Sequence, residues 1–79
     1  MPHFAKRIEV GQKTFEFHFN RIFTVEGLKY HISVRGPVAT YFFMMDITNG
    51  KWHISSKSTP PQWIIEMEEE LAEAIREHG

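Results

Sequence analysis

Between Phe4 and about Lys57, apolar side chains recur at every second position. Phe15, Phe17 and Phe19 alternate with Glu16 and His18, and Leu28, Tyr30, Ile32 and Val34 alternate with Lys29, His31, Ser33 and Arg35. Successive side chains of an extended strand point to opposite faces of a sheet. Such alternation therefore describes antiparallel strands with one buried and one uncovered face. The punctuation between the runs agrees. Gly11-Gln12 places a glycine first in a two-residue turn, as type II′ requires, and Asn49-Gly50 suits type I′, which needs positive φ at both central positions. Gly36-Pro37 interrupts the chain before a strand that begins near Val38. Residues 20–27 read either as the end of a long strand closed by a Glu26-Gly27 turn or as an irregular loop. The first reading keeps the apolar face intact, with Val25 opposite Leu28 and Phe23 opposite Tyr30, and is preferred.

After Ser58 the period lengthens. Ile64, Met67, Leu71 and Ile75, flanked by Trp63 and Ala74, recur at three- and four-residue spacing and form one helical stripe. Thr59-Pro60-Pro61-Gln62 offers a capping hydroxyl, a first-turn proline and a Gln placed to close a capping box, so the spacing predicts a helix over about 60–78. The fold class is α+β: a four- or five-stranded antiparallel β-meander over about 4–57, with one C-terminal amphipathic helix packed on one face. Residues 1–79 form a single ββββα domain in this reading.

A chain of 79 residues buries only about 60% of the surface its unfolded form exposes, so one thin core is all it can build. The absence of cysteine excludes a disulfide staple, a thiolate nucleophile and a Cys-ligated zinc, and favours a cytoplasmic address. The N-terminal residues lack the apolar stretch of a secretory signal. The longest largely apolar run free of charge, Val38 to Met45, is far short of the ~20 residues that span a bilayer, so no membrane partner is expected.

Pairing across the Asn49-Gly50 turn sets Thr48 against Lys51, Ile47 against Trp52, Asp46 against His53 and Met45 against Ile54. Tyr41, Phe43, Met45, Ile47, Trp52 and Ile54 then share the helix-covered face. The opposite face receives Phe42, Met44 and His53, together with Lys29, His31, Arg35 and Lys51. No element remains in the sequence to cover that face, and these seven residues are the candidate interaction surface. An outward Phe42–Met44 pair suits self-association or a protein partner, because Met adapts to irregular surfaces.

The charge is unevenly placed. Residues 1–59 carry eight Lys and Arg against four Asp and Glu, a net +4, whereas residues 60–79 carry one against six, a net −5. A mildly basic sheet face with an aromatic residue is of the kind that holds single-stranded nucleic acid, which makes this the alternative function. His18, His31 and His53 share the same face by parity, and three imidazoles can hold a zinc ion. Neither a His-x-x-x-His helix pair nor a carboxylate partner accompanies them. Asp46 beside His31 and His53 lacks a nucleophile to serve. No catalytic residue, metal or cofactor is expected, and the aromatic cluster of Phe15, Phe17, Phe19, Tyr41, Phe43, Trp52 and Trp63 reads as core. The Glu-rich outer face of the helix reads as solvated.

The segment Gly50-Lys51-Trp52-His53-Ile54, followed by Thr59-Pro60-Pro61-Gln62-Trp63-Ile64 and Glu69-Glu70-Leu71-Ala72-Glu73-Ala74-Ile75, resembles small uncharacterised bacterial proteins that end in an aromatic strand, a Pro-x-Trp-Ile helix start and a Glu-rich amphipathic helix. The resemblance covers about the last 30 residues and implies a sheet-plus-helix fold without an activity. In strand order the chain is also similar to Pur-type and PC4-type single-strand-binding repeats, a similarity that implies an exposed sheet face available to nucleic acid.

Overall fold

Five strands, β1 (His3–Val10), β2 (Lys13–Thr24), β3 (Gly27–Arg35), β4 (Thr40–Thr48) and β5 (Lys51–Ile54), pair in chain order to form a curled, half-barrel antiparallel meander. Two helical segments follow, α1 (Gln62–Ile65) and α2 (Glu68–His78). The computed structural model describes residues 3–78. Met1, Pro2 and Gly79, the last of which closes the chain beyond the expected helix, lie outside it.

The turns follow the residue chemistry. Gly11 takes φ 66° while Gln12 stays at negative φ, as type II′ requires, and Asn49 and Gly50 adopt φ 52° and 79°, as type I′ requires. The β2–β3 turn corrects the expected register. Its loop is Val25-Glu26, not Glu26-Gly27, so Phe23 faces Leu28 and Arg21 faces Tyr30. Gly27 supplies the positive φ, at 121°. Thr24 Oγ1 closes the loop locally by accepting the Glu26 N–H at 3.1 Å and donating to the Gly27 carbonyl at 3.0 Å. The slip is of two residues, an even number, so every side chain keeps its expected face.

The helix also differs from expectation. No Thr59 capping box forms. Pro61 is the N-cap, extended at ψ 160° and without a side-chain cap. A residue that precedes proline is driven out of the helical region, which keeps Thr59 and Pro60 from opening the helix, and it starts only at Gln62, after the extended Pro61. The helix then breaks at Glu66-Met67, where the Met67 N–H donates to the Ile64 carbonyl in a tighter turn at 2.9 Å, before α2 starts.

Phe17, Phe19, Ile32, Val34, Phe43 and Met45 from the sheet are buried against Ile64, Met67, Leu71, Ala74 and Ile75 from the helices. The Trp63 ring lies 4.8 Å from that of Phe15 and 6.1 Å from that of Tyr41, closing one end of the core. At the other end the His78 ring meets Phe4 at 5.4 Å. Full burial of one large aromatic contributes about 1.5–3 kcal/mol, so this aromatic content is what lets so short a chain hold a core.

The helix cannot cover the whole face. Twelve residues of β2 reach about 40 Å at strand rise, whereas eleven residues of α2 reach about 16 Å. Phe23, Val25 and Ile47 are accordingly exposed at the far end of the sheet. For Ile47 this corrects its expected helix cover, although the residue does lie on the helix side.

Candidate functional site

The open face is built by strand register. Across the central strands Lys29 pairs with Asp46, His31 with Met44, Ser33 with Phe42 and Arg35 with Thr40. On the last hairpin Asp46 pairs with His53 and Thr48 with Lys51. All seven candidate residues, Lys29, His31, Arg35, Phe42, Met44, Lys51 and His53, therefore stand on the face away from the helices.

They do not form one cluster. His31 and Phe42, on adjacent strands, stack at 5.9 Å with their rings 10° from parallel. The Phe42 side chain nevertheless remains 62% exposed. Met44 beside them is half-buried. Its backbone is held where β5 ends, its N–H donating to Ser58 Oγ at 3.0 Å and its carbonyl accepting the Ser55 N–H at 2.8 Å. Lys51 and His53 lie on the far hairpin, and Arg35 lies at the opposite end of the face.

Lys29 is occupied. Its ammonium hydrogen-bonds Glu26 Oε1 at 2.8 Å and faces Asp46 Oδ1 at 3.4 Å, with only 14% of the side chain exposed. That second approach is an ion pair: Asp46 Oδ1 is shielded from solvent and receives no well-aligned hydrogen bond. The hydrogen bond from Lys29, followed by its charge and that of Lys57, holds the Glu26 carboxyl below the usual carboxylate range. The same hydrogen bond raises the Lys29 ammonium above its ordinary value, against the opposing effect of desolvation and with a smaller contribution from Asp46.

The three-dimensional placement changes the charge argument. Of the eight basic residues in the strand-forming part, Arg7, Lys29, Arg35 and Lys51 stand on the open face, and Glu9, Glu16 and Asp46 stand with them. Arg7 faces Glu16 at 3.9 Å. Lys6 is turned to the helix side, where it meets Glu77 at 3.6 Å. The +4 of the strand segment is thus spread over both faces and the loops, and the open face itself is close to neutral.

The imidazoles are distributed in the same way. His18 stacks on His3 at 5.8 Å and lies 3.6 Å from Glu16, His31 stacks on Phe42, and His53 pairs with Asp46. Among the described residues no three His, Cys, Asp or Glu side chains converge on a point that could hold a metal ion. No described helix is long and apolar enough to cross a membrane.

Two surfaces were not singled out from the sequence. One is the exposed tip of the β2–β3 hairpin, legible in principle from the unequal reach of strand and helix. The other is the outer edge of β1, which depends on strand order. The molecule is an α+β domain, an antiparallel five-stranded meander with one face filled by helix and the other open. Compared with protein families, with characterised proteins and with solved structures, the chain matches none.

Proposed function

We propose that this chain is a non-catalytic, cytoplasmic interaction module that self-associates through its open sheet face. The observation that carries the reading is Phe42, 62% exposed and backed by the His31 ring, at the centre of a face whose charges are largely balanced within the chain. An exposed aromatic held rigid by a stacked neighbour loses little conformational freedom on binding. A nearly neutral face can meet a second copy of itself without like-charge repulsion, and two such sheets pack about 10 Å apart with interleaved side chains.

Single-stranded nucleic acid is less well supported on the same ground. Binding of that kind draws on unpaired cations that track the phosphates. Arg7 and Lys29 already face carboxylates, which leaves Arg35 and Lys51 at distant ends of the face.

Sedimentation across a concentration series tests the reading. The parent chain is expected to form a dimer that dissociates on dilution, and Phe42→Glu is expected to be monomeric with an unchanged far-UV spectrum. A parent chain monomeric at millimolar concentration, or an F42E chain as dimeric as the parent, refutes it. A salt-dependent oligonucleotide titration by the parent chain would instead favour the nucleic-acid reading.

A further inference from the structure

The two edges of the sheet are treated differently. β5 is four residues long, and its outward Ile54 N–H donates to Glu68 Oε2 at 2.8 Å, so the helix start covers that edge. β1 is eight residues long and pairs with β2 through eight unbroken positions, without a bulge or proline. The two-residue turn at Gly11-Gln12 makes Val10 and Lys13 the first hydrogen-bonded pair, so the N–H and C=O groups of the even-numbered residues of β1 face β2. Those of Ala5, Arg7 and Glu9 consequently point outward along the edge. A row of this kind is a template for one more strand.

Beside it runs an open groove of about 450 Å³ between β1 and α2, with Ile8 and Ala74 at its base. Its remaining lining is Lys6, Arg7, Glu9, Glu70, Glu73 and Glu77. Lys6 is already paired with Glu77 and Arg76 reaches Glu73 only loosely, at 3.9 Å across the exposed helix face, so the groove still presents a surplus of carboxylate.

We infer that the outer edge of β1 is a strand-addition site for an extended basic segment of another protein, whose alternate Lys or Arg side chains reach Glu70 and Glu73 on α2. Main-chain hydrogen bonds to Ala5, Arg7 and Glu9 supply the attachment, and the glutamates select the charge. An added strand lies about 4.8 Å beyond β1, and every second side chain points to the helix side of the sheet. A second copy of this chain is a poorer occupant. Pairing β1 with its twofold mate sets both helices on the same side and brings the two glutamate rows toward each other. This site lies at the β1 edge, away from Phe42 on β4, and stands or falls independently of the self-association reading.

The test is an NMR titration of the full chain with a blocked seven-residue peptide alternating lysine with valine and threonine, beside its glutamate counterpart. The lysine peptide is expected to shift the amides of Ala5, Arg7 and Glu9 and slow their exchange, leaving Phe42 and Met44 unmoved, while the glutamate peptide does nothing. Glu70→Lys with Glu73→Lys weakens binding about tenfold, the scale for reversing two exposed charges. Ala5→Pro removes one outward donor, leaves the β2 pairing intact and abolishes the exchange protection. The proposal is overturned if the lysine peptide leaves the β1 amides unshifted, or binds the E70K/E73K chain equally well. It is likewise overturned if, in the absence of peptide, raising the protein concentration shifts and protects the outward amides of Ala5, Arg7 and Glu9 in the F42E chain as well, which would make a second copy the occupant.

Discussion

Glu68 joins the start of α2 to the edge of β5, and its removal has a size that can be worked out. Its carboxylate oxygen accepts the Ile54 N–H at 2.8 Å in a partly buried setting. A hydrogen bond to a charged group contributes about 1.5–3 kcal/mol net, and an acidic residue in the first turn of a helix adds about 0.3–1 kcal/mol. Glu68→Ala should therefore cost about 2–4 kcal/mol. A domain of this size is held by only about 3–5 kcal/mol, so the variant should sit near the edge of stability, with Tm lowered by about 10–30 °C. Glu68→Gln keeps an oxygen acceptor without its charge and should cost about 1 kcal/mol. Urea denaturation followed by tryptophan fluorescence measures both losses. Amide exchange at Ile54 gives a local readout and should accelerate about thirtyfold in E68A for a 2 kcal/mol loss. If both variants lie within about 0.5 kcal/mol of the parent, the size of a surface substitution, the carboxylate does not hold the edge.

Gly50 and Gly36 should fail for different reasons. A Cβ at Gly50 meets nothing within 4 Å, so Gly50→Ala costs only the left-handed backbone at φ 79°, about 1–2 kcal/mol, with the tryptophan environment unchanged. A Cβ at Gly36 would lie 2.8 Å from the Tyr41 ring and 3.1 Å from the Ala39 carbonyl oxygen, so Gly36→Ala should disturb the Tyr41–Trp63 contact and alter the near-UV spectrum. The Glu26–Lys29 pair sets a pH window. Glu26 titrates below 4.5 in the folded chain, so its contribution is present above 4.5 and is lost as pH falls through the lowered value. Lys29 titrates above 10.5, so its contribution is full below 10.5 and is lost as pH rises through the raised value. The carboxyl carbon resonance of Glu26 should have its midpoint below 4.5 in the parent, and Lys29→Met should move that midpoint upward; an unmoved midpoint removes Lys29 as the cause.

Local periodicity and turn chemistry determined the strands, their faces and two of the four hairpin connections. A strand has only two faces, and positive φ has few tolerant residues. The same periodicity, with the register that the Asn49-Gly50 turn imposes, placed Lys29, His31, Arg35, Phe42, Met44, Lys51 and His53 together on the open face. It erred where two local signals competed. Both Glu26-Gly27 and Val25-Glu26 can close the β2–β3 turn, and only the closure through Thr24 and Gly27 decides between them. At the helix start Thr59 looked like a cap, but the two prolines keep the chain extended past it.

Tertiary structure decided which charges remain available and which edge stays bare. Counting along the chain gives the strand segment +4, yet side chains alternate between two faces and reach across strands. Lys29 thus meets Asp46 seventeen positions away, and Lys6 meets Glu77 from the other end of the chain. Burial pattern and turn residues are local and can be read from the sequence. Ion pairing and edge protection depend on residues distant in sequence that only strand order and helix placement bring together. The sequence alone determined a two-faced sheet with a helix on one side. The folded chain decided that the open face is nearly neutral around Phe42 and that, among the described residues, a helix carboxylate caps the outer edge of β5 at Ile54 while no such bond caps the outer edge of β1.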